Sequence, residues 1–171
     1  MRAWALLLII LSSPSLSALE SDRQQPVNID AGRTVLDNRG EGYYELDDGV
    51  SLTQGSLVIK ASRARVYGRF GQTPQRIRVQ GSPATMQQEL DDNQGLVRAQ
   101  AEVMEFFRDQ ERVVLTGNVV ITQQRGQMLA QRVVYHIADG RIESDAGDDD
   151  DRIRMRIDPE AVSQIDGEDA S

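Results

Sequence analysis

The chain of 171 residues contains no cysteine, which excludes disulfide staples, thiolate metal sites and cysteine nucleophiles at once. It has one histidine, His136. A lone imidazole cannot complete a histidine-rich metal site or a triad without partners that no spacing here supplies, and a place in the strand-like run Val133-Val134-Tyr135-His136-Ile137 accounts for it. Basic residues are in deficit, 19 against 27 acidic, for a formal charge of −8. Scattered arginines in an acidic chain offer no cationic footprint for nucleic acid. No glycine-rich run follows a strand and opens a helix, so no phosphate-cradling loop is present.

The carboxylates carry no enzyme signature either. Asp47-Asp48, Asp91-Asp92 and Glu102/Glu105 are candidate acid–base pairs, but pairs at turns form turns, and nothing converges two of them in an apolar pocket. The run Asp148 to Asp151 invites calcium, yet consecutive aspartates diverge and lack the spaced ligands and turn glycine of a calcium loop. A solvated acidic loop is the plainer reading.

What is present begins with an export pattern. Arg2 supplies a positive start, Ala3 to Leu11 an apolar stretch, and Ser12 to Ala18 a small-residue cleavage zone, so residues 1–18 read as a cleaved signal peptide. A membrane anchor needs about twenty apolar residues, and this run breaks at Ser12-Ser13-Pro14. Removal of the segment takes the charge to −9. With no cysteine at the cut, the mature chain is expected to be soluble.

At this length one domain is expected, over residues 19–158. From Pro26 onward short runs alternate between apolar and polar residues, the period-two mark of half-buried strands. Val27 to Ala31, Leu57 to Ala61, Arg76 to Val79 and Arg152 to Ile157 are the clearest, and the last puts three arginines on one face. Turn residues fall between them at Asn38-Arg39-Gly40, Asp47-Asp48-Gly49, Gln54-Gly55, Gly71 to Pro74, Gly81-Ser82-Pro83, Asp92 to Gly95, Thr116-Gly117-Asn118, Arg125-Gly126 and Asp139-Gly140. Strands of about five to eight residues result. Ala99 to Arg108 has helical composition but a strand's place in the pattern. Ser144 to Asp151 is expected as a loop before a last strand, Arg152 to Asp158, and residues 159–171 as an acidic, mobile tail.

The chain also repeats itself. Gly49 to Gln54 with Ala61-Ser62-Arg63 recurs as Asn118 to Gln123 with Ala130-Gln131-Arg132, a shift of 69 residues. Ile29-Asp30-Ala31 with Val35 matches Val97-Arg98-Ala99 with Val103 at a shift of 68. A weaker copy, Gly81 to Met86, lies between, so the unit is about 32 to 36 residues. Stacked units of this size give an all-β pile whose two end strands have unpaired edges. Alternation assigns Val50, Leu52, Ile59, Leu115, Val119, Ile121 and Met128 to its interior, subject to register. Such an interior is either a filled core or a groove for apolar ligands.

Gln25-Pro26-Val27-Asn28-Ile29-Asp30-Ala31, Gly49 to Gly55, Gly81 to Met86, and Val113 to Val119 with its Leu-Thr-Gly-Asn resemble the OstA-like repeats of the LptA family of periplasmic lipopolysaccharide-transport proteins. The match spans nearly all of Gln25 to Ile142. The resemblance implies a twisted β-jellyroll with an apolar interior that takes lipid A acyl chains. It implies head-to-tail stacking on matching folds of an inner-membrane (LptC-like) and an outer-membrane (LptD-like) partner, with possible self-association. It also implies no catalytic residue and no cofactor, since an ATPase at the inner membrane supplies the energy. Position by position it places Val27, Ile29, Met86, Met104 and Phe106 inward, and Arg69 as a basic group near the groove mouth. The Asp148 to Asp151 run and the acidic end depart from the family's pattern. Three other readings stand beside it: an inner-membrane-anchored member of the same family, a β-repeat scaffold with a filled core, and, more distantly, a lipid-modifying enzyme.

Overall fold

Alternating apolar and polar side chains are satisfied when every second residue turns to one face, and the computed structural model follows this between the bends of its strands. It describes residues 22, 25–90, 95–136, 141–147 and 152–158. Their regular structure is one antiparallel sheet of twelve strands, β1 (Asn28–Asp30), β2 (Arg33–Asp37), β3 (Tyr43–Asp47), β4 (Val50–Gln54), β5 (Leu57–Ala61), β6 (Arg63–Tyr67), β7 (Arg76–Leu90), β8 (Gly95–Phe107), β9 (Arg112–Gln123), β10 (Gly126–His136), β11 (Ile142–Asp145) and β12 (Arg154–Ile157).

The four long strands each bend once, and the outer two, β7 and β10, change partner at the bend. The first half of β7 pairs with β6 and its second half with β5. Register breaks fall at Gln80/Ala84, Gln100/Val103 and Ala130/Arg132. One layer therefore runs β1-β4-β5-β7-β8-β9-β10-β12, and the other β2-β3-β6 followed by the opposite halves of β7 to β10 and then β11. Residues of both layers, among them Leu46, Val79 and Leu115 from one and Val50, Ala84 and Val119 from the other, meet in a single buried cluster. The sheet thus folds over on itself along the line of bends and stays open, with β1 and β2 at one end and β11 and β12 at the other.

Two expected turns prove to be these bends. Gly81-Ser82-Pro83 lies inside β7, with a cis Ser82–Pro83 peptide, and Thr116-Gly117-Asn118 lies inside β9. Gly117 and Asn118 take positive φ, 82° and 46°, which kinks a strand without reversing it where neighbours continue the ladder on both sides. Strands of 11 to 15 residues result, longer than expected. The reversal between β8 and β9, at Arg108 to Glu111, carries no glycine or proline; Glu111 adopts positive φ and its N–H donates to the Arg108 carbonyl at 3.0 Å. Ala99 to Phe107 is strand, as its place in the pattern indicated. Ser144 and Asp145, expected in a loop, close β11 on β10. Residues 91–94, 137–140, 148–151 and 159–171, which carry the expected Asp92 and Asp139-Gly140 turns, the acidic run and the tail, lie outside the described residues.

The repeat is a unit of about 69 residues that passes through both layers, rather than half that size. Leu46 and Leu115, Val50 and Val119, and Ala61 and Ala130 occupy equivalent places. The match at Ile29 is shifted: Ile29 pairs with Leu52, whereas Ala99, not Val97, pairs with the equivalent Ile121. A slip of two residues preserves facing, so the inward assignment survives it. Met86 and Met155 are equivalent through Ile59 and Met128, and Ile77 and Ile142 through Val66 and Tyr135. The separations differ by four, the length of Asp148 to Asp151, which falls between β11 and β12 as Gly81-Ser82-Pro83 falls within β7.

Candidate functional site

The register lines up the inward residues into rows that cross the whole sheet. In one layer the row next to the bend runs through Leu46, Ala64, Val79, Met104, Leu115 and Val133, and the row beyond it through Leu36, Tyr44, Val66, Ile77, Phe106, Val113, Tyr135 and Ile142. In the other layer Ile29, Leu52, Ile59, Met86, Ala99, Ile121, Met128 and Met155 form one row. The lining is aliphatic, thioether and aromatic, with burial rather than any neighbouring charge raising the Tyr44 phenol above its ordinary pKa.

Exposure is least along the bend and at mid-sheet, where Val66 and Ala99 in the rows away from the bend are still only 1% and 4% exposed, and greatest at the two ends. Val50, Leu52, Met104, Leu115 and Val119 are buried, Leu115 and Val119 only 3% and 1% exposed. Of these expected lining residues Val50, Met104, Leu115 and Val119 are packed core, because the two layers meet there, and Leu52 is buried outside that cluster. Ile59, Met86, Phe106, Ile121 and Met128 are half-buried. At the open ends Ile29 is 36% exposed, Val27 lies just before β1 and is more so, and Met155 and Ile157 reach 65%. The interior is thus filled along the bend and open along its margins and at both ends. Arg69 stands outside the rows, at the tip beyond β6. Its guanidinium donates to the Gly40 carbonyl at 3.0 Å, beside the edge-on contact of Phe70 with Tyr44.

Several inward residues were not singled out from sequence: Leu36, Tyr44, Val66, Ile77, Val113, Tyr135, Ile142, Met155 and Ile157. Ile77, Met155 and Ile157 lie in runs whose alternation is plain. The parity changes at the bends hid which of their two faces was shared.

The opposite, outer face of the layer built on β3 and β6 has a different chemistry. Tyr43, Tyr67, Arg76, Phe107 and Arg112 form one row across it. The Arg76 guanidinium lies 4.9 Å from the Tyr67 ring centre and 5.1 Å from that of Phe107, and Arg112 lies 4.9 Å from Phe107. Beside them Arg65 pairs with Glu45, Arg76 and Arg78 with Glu105, and Arg63 with Asp47. Cations here are matched by carboxylates or rings, which makes this face a cover for the sheet.

No group of three or more His, Cys, Asp or Glu among the described residues could hold a metal. What the inner face offers is an elongated apolar surface, and comparison with known proteins gives it a context. A family model described as LptA/(LptD N-terminal domain) LPS transport protein matches residues 28–141. The chain belongs to this family. Among its relatives, the lipopolysaccharide export system protein LptA of Haemophilus influenzae is 26% identical over 161 residues, covering 93% of this chain and 92% of that protein. LptA of Escherichia coli K12 is 29% identical over 138 residues, covering 80% and 73%. The crystal structure of LptH from Pseudomonas aeruginosa superposes with a TM-score of 0.68 at 24% identity, covering 81% of this chain and 99% of that one, and shows the same fold. The family is one of transport proteins, and the chain is not an enzyme.

Proposed function

We propose that this chain carries lipopolysaccharide between the membranes, sheltering the acyl chains of lipid A along the open margin of its apolar interior. The observation that carries the reading is the set of three inward rows, apolar across the sheet, buried at mid-sheet and exposed at the ends, where Ile29, Ile142 and Met155 lie open. Moving one CH₂ out of water is worth about 0.8 kcal/mol, so several acyl chains face a prohibitive aqueous gap unless a continuous apolar surface shields them. A lining without deep polar anchors lets the lipid move on. Met86, Met128 and Met155 suit it, because thioether side chains adapt to changing shapes.

The open ends support stacking on matching folds. Among the described residues the β1 and β12 strands each have one side without a partner strand, and unpaired backbone groups recruit a further strand. We place an inner-membrane LptC-like component at one end and an outer-membrane LptD-like component at the other, with self-association as a way to lengthen the bridge. A periplasmic location is supported by the export pattern of residues 1–18 and by the likeness to LptH, the LptA-homologous periplasmic component of a lipopolysaccharide transport device. The packed row along the bend favours a second reading, a scaffold with a filled core. Purification of the mature chain from envelope extracts separates the two: the carrier retains lipopolysaccharide through gel filtration, and a scaffold elutes without it.

A further inference from the structure

The outer face of the β1-β4-β5 layer is unlike that of the other layer. Its two rows run Asp30, Ser51, Lys60, Thr85, Gln100, Val120, Leu129, Arg154 and Asn28, Thr53, Val58, Gln87, Arg98, Thr122, Gln127, Arg156. In these two rows four cations stand against one carboxylate, Arg156 having a further acidic partner in Asp158, in a chain that is acidic overall. On the opposite outer face Arg63, Arg65, Arg76, Arg78, Arg132 and Arg141 all have acidic partners. Here Lys60 and Arg98 have none among the described residues, and Thr85, Gln87 and Gln100 between them are exposed and equally unengaged.

Thr85 pairs with Lys60 on one side and Gln100 on the other, and Gln87 pairs with Arg98. Lys60 and Arg98 therefore flank β7 diagonally, with backbones about 12 Å apart from strand spacing and rise, a gap that two long side chains can close from both sides. A shallow pocket of about 270 Å³ lies between them, lined by Val58, Lys60, Thr85, Met86, Gln87, Arg98, Ala99 and Gln100. We infer that this pocket is a binding site for a phosphate group, held by the Lys60 ammonium and the Arg98 guanidinium with the Thr85 hydroxyl and the Gln87 and Gln100 amides as neutral donors. A tetrahedral dianion uses donors from several directions, and charge-assisted bonds from an arginine are the strongest available to it. The nearest carboxylate on β7, Glu89, is two residues past Gln87 and diagonal to Arg98. Its charge opposes the anion and sets a limit on affinity. The site lies on the face opposite the apolar rows, so it stands or falls independently of the lipid-carrying role.

Titration of the mature chain, followed by backbone amide NMR, tests this with two probes: inorganic phosphate, and phosphatidylcholine vesicles with or without phosphatidic acid. Shifts centred on Thr85, Gln87 and Gln100 are expected, weakened about tenfold or more by the Lys60→Gln/Arg98→Gln pair. The Arg154→Gln/Arg156→Gln pair on the same face leaves affinity within about twofold, and Glu89→Gln raises it. A response to phosphate alone supports a soluble phosphate ligand, and a response only to the phosphatidic acid vesicles supports a lipid-borne one. No shift at these amides with either probe, or a Lys60/Arg98 double variant that binds like the wild type, overturns the assignment. Loss of phosphate binding with lipopolysaccharide still retained leaves the carrier reading untouched.

Discussion

Substituting Phe106 by aspartate perturbs the apolar trough where a change is still informative. Phe106 sits on β8 in the outer inward row, between Ile77 and Val113, half-buried without ligand. Full burial of a phenylalanine side chain is worth about 1.5–3 kcal/mol, and the half left open for an acyl chain corresponds to about 1 kcal/mol of binding. A carboxylate stranded against hydrocarbon costs about 1–3 kcal/mol more by mutational measures. The sum, about 3 kcal/mol, is a loss of roughly a hundredfold in affinity. Equilibrium titration with fluorescent lipopolysaccharide reads the loss, and urea unfolding of the same sample establishes that the variant is folded. Phe106→Leu, which keeps an apolar surface, should cost only a few-fold. The same change at buried Leu115 would unfold the chain and reveal nothing about ligand. A folded Phe106→Asp protein that binds lipopolysaccharide within a factor of about three of wild type would refute the reasoning.

Leu115→Ala empties a packed position where the layers meet, and should lower unfolding stability by about 2–5 kcal/mol; a loss below about 1 kcal/mol in urea denaturation would contradict a filled core. At Gly81 an added Cβ would lie 2.6 Å from the Ala84 backbone nitrogen and 2.8 Å from the Pro83 carbonyl carbon, neither of which can swing aside. Gly81→Ala should therefore destabilise the bend of β7 by more than about 1 kcal/mol, and an unchanged unfolding midpoint would show that the bend yields. The Arg39 side chain and then its backbone N–H donate to Asp37 and hold its carboxyl at about 2, below the ordinary 3.8. Because the folded value is depressed, what the pair contributes is present above 3.8 and is lost as pH falls through about 2. Carboxyl NMR should find that midpoint, moved upward in Arg39→Gln; a wild-type midpoint at 3.8 would exclude the pair in solution.

Much of the strand plan was legible because alternation is local. Val27 to Ala31, Leu57 to Ala61 and Arg76 to Val79 announce their faces within a few residues, and the repeat ties Val50 to Val119 and Leu52 to Ile121. The bends were not legible. Thr116-Gly117-Asn118 has the composition of a reversal, and whether it reverses or kinks depends on β8 and β10 continuing the ladder on both sides, which is tertiary information. The arginine and aromatic rows on the outer face were hidden for the same reason, since Tyr67, Arg76, Phe107 and Arg112 are neighbours only across strands. Val114 and Val134 are buried on that outer side, so the runs Val113-Val114-Leu115 and Val133-Val134-Tyr135 lack the alternation that would have fixed their register. Burial depth was equally out of reach: periodicity marks Leu115 and Ile121 as inward alike, but only the fold distinguishes the residue sealed at the bend from the one nearer the margin.

The most direct test of the central claim is site-specific photocrosslinking in living cells, with a photoreactive residue placed in turn at inward Phe106, Ile142 and Met155 and at outward Val35 and Arg78. Lipopolysaccharide adducts at the three inward positions and none at the outward pair are the predicted result. Adducts on both faces alike, or at Val35 and Arg78 alone, would contradict a carrier that holds lipid along its apolar interior.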